Sequence, residues 1–139
     1  MYRWAVGMMV RRRLAGLSRG DFEPIARSFG ADGRLQMLGE HALGEERRGP
    51  DAVRAWFHET LELFPGLRVT PRDVVVAGWP WSTRVCTRFD VHAELPDGTP
   101  YRNAGMQYLR LRWGRVVEDL LYEDTQALAA AIERVRAPA

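Results

Sequence analysis

The sequence has 139 residues, 46% of them hydrophobic and 27% charged, which sets it apart from a disordered chain, a collagen-like repeat or a disulfide scaffold and fits one domain over 1–139. Its 20 basic residues are all arginine and face 18 acids, for a net charge of +2; only Arg11–Arg13 form a basic run, so nucleic acid is not expected as a partner. Cys86 stands alone and no apolar run approaches the ~20 residues that span a bilayer, so the reading is a cytoplasmic chain in a reducing compartment, with no membrane partner.

Residues 2–17 carry Trp4, Met8, Val10, Leu14 and Leu17 near helical spacing, and a short second helix follows with Phe22, Ile25, Ala26 and Phe29 on its apolar side. Residues 34–48 read as a short strand pair with glycines at its turns. Pro50 and Asp51 open a third helix with Val53, Trp56, Phe57, Thr60, Leu61 and Phe64 on one face, and Pro65–Gly66 stop it. The period then changes to two. Strands are predicted at 67–77, 82–95, 101–112 and 115–123, joined by turns at Gly78–Pro80, Pro96–Gly98 and Trp113–Gly114, before a last helix at 125–135. Helices followed by a meander make an α+β pattern. Helices covering one face of a curved antiparallel sheet leave a cone-shaped space, the kind of place ligands occupy.

The 82–95 strand alternates cleanly, with Thr83, Val85, Thr87, Phe89, Val91, Ala93 and Leu95 on one side and Ser82, Arg84, Cys86, Arg88, Asp90, His92 and Glu94 on the other. Two arrangements are open. The polar side can be solvated, or it can line the cavity, in which case Arg88 and Asp90 form a charge pair beside a ligand. There Asp90 would serve as acid or base and Arg88 would hold an anion. On the last strand Val117, Asp119, Leu121 and Glu123 share one side, and the neighbouring strand offers Asn103 and Gln107 for polar ligand groups. His41, in a glycine-rich hairpin, and His92, near a strand end, can reach a pocket mouth, while His58 lies off the apolar face of its helix. No two histidines have ligand spacing, so no metal site is expected. Trp56 and Phe57 fit either a core or a ligand-contacting wall.

The order of elements, together with the segments GWPWSTRVCTRFDV, LPDGTPYRNAGMQYLRLRWGRVVEDLLYEDTQ and LAGLSRGDFEPI, resembles the nuclear-transport-factor-2-like fold and, within it, the SnoaL-like branch. That resemblance implies an apolar conical pocket, a homodimer packed through the sheets, and side-chain acid–base chemistry without metal or organic cofactor, as in polyketide cyclases, a ketosteroid isomerase and limonene epoxide hydrolase. The Arg88-Phe89-Asp90 triplet matches an Arg-x-Asp of the epoxide hydrolases and favours an inward polar face. In the same family an aspartate commonly stands seven positions after the turn glycine; counted from Gly114, that position is Leu121, with Asp119 and Glu123 two residues to either side.

The leading expectation is therefore a cofactor-independent enzyme that cyclises, isomerises, dehydrates or opens an epoxide in a small hydrophobic oxygenated molecule. Arg88, Asp90, Asp119 and Glu123 would be catalytic, and Trp56, Phe57, His41, His92, Gln107 and Leu121 would contact the ligand. The competing expectations are a non-catalytic module that binds an apolar molecule, for which Leu121 speaks, and a purely structural dimer. Phe89, Val91, Tyr108 and Tyr122 are the expected dimer-face residues.

Overall fold

The computed structural model describes residues 1–137. Helices α1 (Tyr2–Leu17) and α2 (Glu23–Arg27) precede strand β1 (Phe29–Met37) and the two-residue β2 (Arg47–Arg48). Helix α3 (Gly49–Leu63) follows, then β3 (Arg68–Trp79), β4 (Ser82–Glu94), β5 (Pro100–Arg112), β6 (Arg115–Glu123) and α4 (Thr125–Arg136). The six strands form one sheet in the order β2-β1-β6-β5-β4-β3. The sheet is mixed rather than antiparallel throughout, because β1 returns alongside β6 in parallel. Phe29, expected on the second helix, instead begins β1 and is buried in the core.

Periodicity decides what each element buries. Helix α3 places Val53, Trp56, Phe57 and Thr60 inward along one stripe, and its Trp56 indole donates to the Leu43 carbonyl at 3.0 Å, which pins the 38–46 loop over the helix. Phe22 stacks on Phe57 with ring centroids 5.3 Å apart, tying the start of α2 to α3. Helix α1 differs from its predicted face: it buries Val6, Val10 and Leu17, whereas Trp4 and Met8 point to solvent. The spacing 6, 10, 17 is as helical as 4, 8, and only the position of β3 beneath α1 selects between them.

The long strands bury one side only. On β4 the inner set is Thr83, Val85, Thr87, Phe89, Val91 and Ala93. On β6 a register shift at Arg110/Leu111 pairs Val116 with Leu111 and Glu118 with Arg110, leaving Val117 as the extra residue. The bulge makes Val116, not Val117, the buried residue at the start of the strand and then returns Asp119, Leu121 and Glu123 to the inner side.

At one end of the domain Asn103 secures the corner between β6 and α4. Its amide donates to the Tyr101 hydroxyl (2.7 Å) and the Asp124 carbonyl (3.1 Å), and its Oδ1 accepts from the Asp124 amide (3.2 Å). Asp124 caps α4 by accepting from the Ala127 amide, so Leu128 comes to lie over the space between sheet and helices. Gly105 makes the adjoining close approach. A Cβ there would sit 2.4 Å from the Tyr122 carbonyl oxygen and 2.8 Å from the Phe89 ring. Gly105→Ala is expected to cost about 1–3 kcal/mol in urea unfolding, the usual penalty for overpacking; an unchanged midpoint would show that the strand can slide to make room.

Candidate active site

The hollow between the sheet and the helices is a narrow cavity of about 90 Å³. Its helical wall is hydrocarbon and aromatic, with Leu14 and Leu17 from α1, Ile25 from α2, and Trp56, Phe57 and Phe64 from α3 and its end. Phe89 and Val91 of β4 floor it. Polar groups come almost entirely from the two adjoining strands β5 and β6: Tyr101, Gln107, Asp119 and Glu123, joined by Thr60 of α3, whose hydroxyl already donates to the Trp56 carbonyl.

Asp119 is the deepest of these, 3% exposed. Among the described residues its carboxyl has one hydrogen-bonding partner, the Gln107 side chain, whose Nε2 donates to Oδ1 at 2.9 Å. Loss of water raises its pKa to about 7 despite that bond, which pulls the other way. Glu123 is likewise pushed up to about 7 by burial. Tyr101 is raised to about 12, first by burial and further by the nearby Glu123 and Asp124 charges, so its phenol stays protonated. Asp119 and Glu123 are four residues apart on one strand, roughly 13 Å along the backbone at the usual strand rise. They do not share a proton; they address two different parts of whatever fills the space, with Leu121 between them.

The inward placement of Arg88 and Asp90 is not observed. Both lie on the outer face of the sheet, where Arg88 is exposed and the Asp90 carboxylate pairs with Arg72 Nε at 2.6 Å, itself about half exposed. The reason is desolvation: turning β4 over would strip two charged side chains of water at several kcal/mol per ion, while the opposite set buries nothing more polar than threonine hydroxyls. His92 sits beside them on that outer face, exposed. His41 is also outside the cavity. Its ring is used locally, Nδ1 accepting from the Leu43 amide and Nε2 meeting the Leu38 carbonyl, 3.1 Å each. Asp119, Glu123, Gln107, Leu121, Trp56 and Phe57 do line the cavity. Tyr101, on the same side of β5 as Gln107 and Asn103 and outside the expected set of site residues, lines the cavity as well. No grouping of three or more metal-ligating side chains occurs among the described residues.

A sheet closed by helices over a carboxyl-bearing apolar hollow is an α+β fold of the conical type. The SnoaL-like domain family model matches residues 10–119, and the chain belongs to that family. Solved structures share the fold at low identity. PrhC from Penicillium brasilianum superposes with a TM-score of 0.79 at 15% identity, over 97% of this chain and 90% of that one. Bal32a, from a soil-derived mobile gene cassette, gives 0.75 at 20% over 87% and 91%. TerC, co-crystallised with polyporic acid, gives 0.73 at 20% over 86% and 92%. No curated protein sequence matches the chain.

The raised carboxyl pKa values have a consequence for stability. Unfolded, Asp119 ionises near 3.8; folded, near 7. Between those values the folded chain keeps a proton that the unfolded chain releases, so this group's contribution falls as pH rises through the window, by up to about 1.4 kcal/mol per pH unit, and is flat above it. Asp119→Asn removes the effect. Thermal melts should show the variant gaining on the parent protein between pH 5 and pH 8; an equal gap at both would mean that water reaches the carboxyl.

Proposed function

We propose that this chain is an acid–base catalyst for a small, largely apolar, oxygenated molecule of polyketide or terpenoid character, held in the cavity and worked on by Asp119 and Glu123. The supporting observation is a pair of carboxyl groups in one hydrocarbon-lined hollow, each raised to about 7 by burial. Near neutral pH such a group is present in both protonation states, so one can give a proton while the other takes one. Gln107 fixes Asp119 through Oδ1 and leaves Oδ2 for the ligand. Tyr101, protonated throughout, supplies a hydrogen-bond donor at the Glu123 end. Cyclisation, isomerisation, dehydration and epoxide opening each need a proton taken from or given to carbon or oxygen while a C–C, C–H or C–O bond forms or breaks, and epoxide opening further needs a water molecule as nucleophile; these carboxyl groups supply the proton transfers.

Leu121 favours a second reading, a carrier or sensor that binds the same class of molecule without converting it. A panel of aryl ketones, epoxides and hydroxylated quinones, polyporic acid among them, separates the two when binding is followed by calorimetry and products by mass spectrometry. The catalytic reading expects turnover that Asp119→Asn cuts by roughly 100-fold or more with binding retained. Binding of panel members with no product from the parent protein supports the carrier.

The reading includes a homodimer formed through the outer sheet face. Phe89 and Val91 do not contribute to that face, since both are buried inward. The outward residues are Tyr108 and Tyr122 with Met106, Leu120 and Cys86, which together line a shallow apolar recess. Met106→Glu combined with Tyr122→Glu is expected to convert a species of twice the 15.9 kDa chain mass into the single chain in sedimentation; a parent protein that sediments as one chain at high concentration removes the dimer.

A further inference from the structure

Four of the five tryptophans lie on the surface: Trp4, Trp79, Trp81 and Trp113 are 53–68% exposed, and only Trp56 is in the core. All four belong to three segments that meet at one end of the domain, the start of α1, the β3–β4 turn and the β5–β6 turn. The meeting is explicit in the contacts. Trp79 stacks on Trp81 at 6.2 Å, Trp81 lies 6.3 Å from Trp113, the Trp113 amide donates to the Pro80 carbonyl at 2.7 Å, and Arg3 lies over the Trp79 ring at 4.8 Å while donating to the Gly78 carbonyl. Neither core packing nor turn chemistry accounts for these residues. Trp113 occupies the first position of a two-residue hairpin turn with φ +50°, where asparagine or glycine is favoured and a bulky side chain is disfavoured.

The same segments are basic without compensation. Residues 1–7, 78–84 and 110–116 hold five arginines, Arg3, Arg84, Arg110, Arg112 and Arg115, and no aspartate or glutamate. Among the described residues none of the five forms an ion pair, whereas six other arginines do. The acid nearest in register, Glu118 opposite Arg110, is taken by Arg34.

We propose that this tryptophan–arginine end is a peripheral binding surface for an anionic lipid bilayer. Indole rings carried on turn tips and a helix start settle at the level of the headgroups, and the surrounding guanidinium groups pair with lipid phosphates. Charge complementarity selects this occupant over two others. A second copy docked symmetrically on this end would set the same uncompensated arginines against each other. A single-stranded nucleic acid needs successive free ring faces along a groove, but here the rings pack on one another and a guanidinium covers Trp79. Such a surface touches a bilayer without crossing it, and no helix of the described residues is long and apolar enough to cross. It revises the expectation of no membrane partner, which rested on the absence of a spanning segment.

Co-sedimentation of the full chain with phosphatidylcholine vesicles, with and without phosphatidylglycerol, tests the proposal. Binding is expected only to the anionic vesicles, weakening as salt is raised. Trp81→Ser with Trp113→Ser, and separately Arg84→Ser with Arg112→Ser, should each weaken it roughly tenfold or more while circular dichroism stays unchanged. Asp119→Asn should leave it intact, so the surface stands or falls apart from the catalytic reading. No partition onto anionic vesicles overturns the proposal, as does partition that the tryptophan and arginine variants leave unchanged. Binding to oligo(dT) in place of vesicles, or a tryptophan variant that alters only the sedimentation of the chain itself, overturns it equally.

Discussion

Removal of water from the inner face of the sheet is the condition on which the other features rest. Apart from the Thr60 hydroxyl, the side chains of α1, α2 and α3 that close the hollow are hydrocarbon or aromatic, and they meet a sheet floor that is apolar except along β5 and β6. Among the described residues, Asp119 emerges from that floor with one neutral partner, Gln107, and no counter-ion. A carboxyl so placed holds its proton to about pH 7 because ionisation there has little to solvate it. Pairing it with an arginine would return it to the ordinary acid range and make it a structural ion. The raised pKa therefore comes from what surrounds the carboxyl, and the residues of the hydrophobic core are also the wall of the hollow.

The sheet divides its two faces accordingly. Outside, Arg72–Asp90 and Arg34–Glu118 keep their charges in or near water, and a central apolar recess is left between Cys86 and Tyr122. Inside, Asp119 and Glu123 line the hollow with no arginine beside them among the described residues. The ends of the domain differ as well: the Asn103 corner sets α4 over one end of the hollow, and the opposite end gathers tryptophans and arginines on two turns and a helix start. Each specialisation uses local backbone rules, a capped helix in one case and two-residue hairpin turns in the other.

Local rules also explain what could be read without coordinates. The order of helices and strands, the stop at Pro65–Gly66, the apolar face of α3 and the turn at Trp113–Gly114 follow from periods of 3.6 and 2 and from residues that break them. The β4 strand shows where such reading ends. Alternation separates Arg88 and Asp90 from Phe89 and Val91, but a two-fold period is symmetric and does not name the inner side; the resemblance to Arg-x-Asp relatives pointed to the wrong one. Helix α1 has the same ambiguity between Trp4/Met8 and Val6/Val10. On β6, one extra residue at Val117 exchanges faces partway along, which no period detects.

The sequence by itself determined the elements, the α+β class and the pairing of residues into faces, because these depend on neighbours a few positions apart. Only the tertiary structure decided which face is dry, how deep Asp119 and Glu123 lie, and that distant tryptophans and arginines assemble at one end. Those properties are set by contacts between segments far apart in the chain, where desolvation and like-charge proximity arise only once the segments have met.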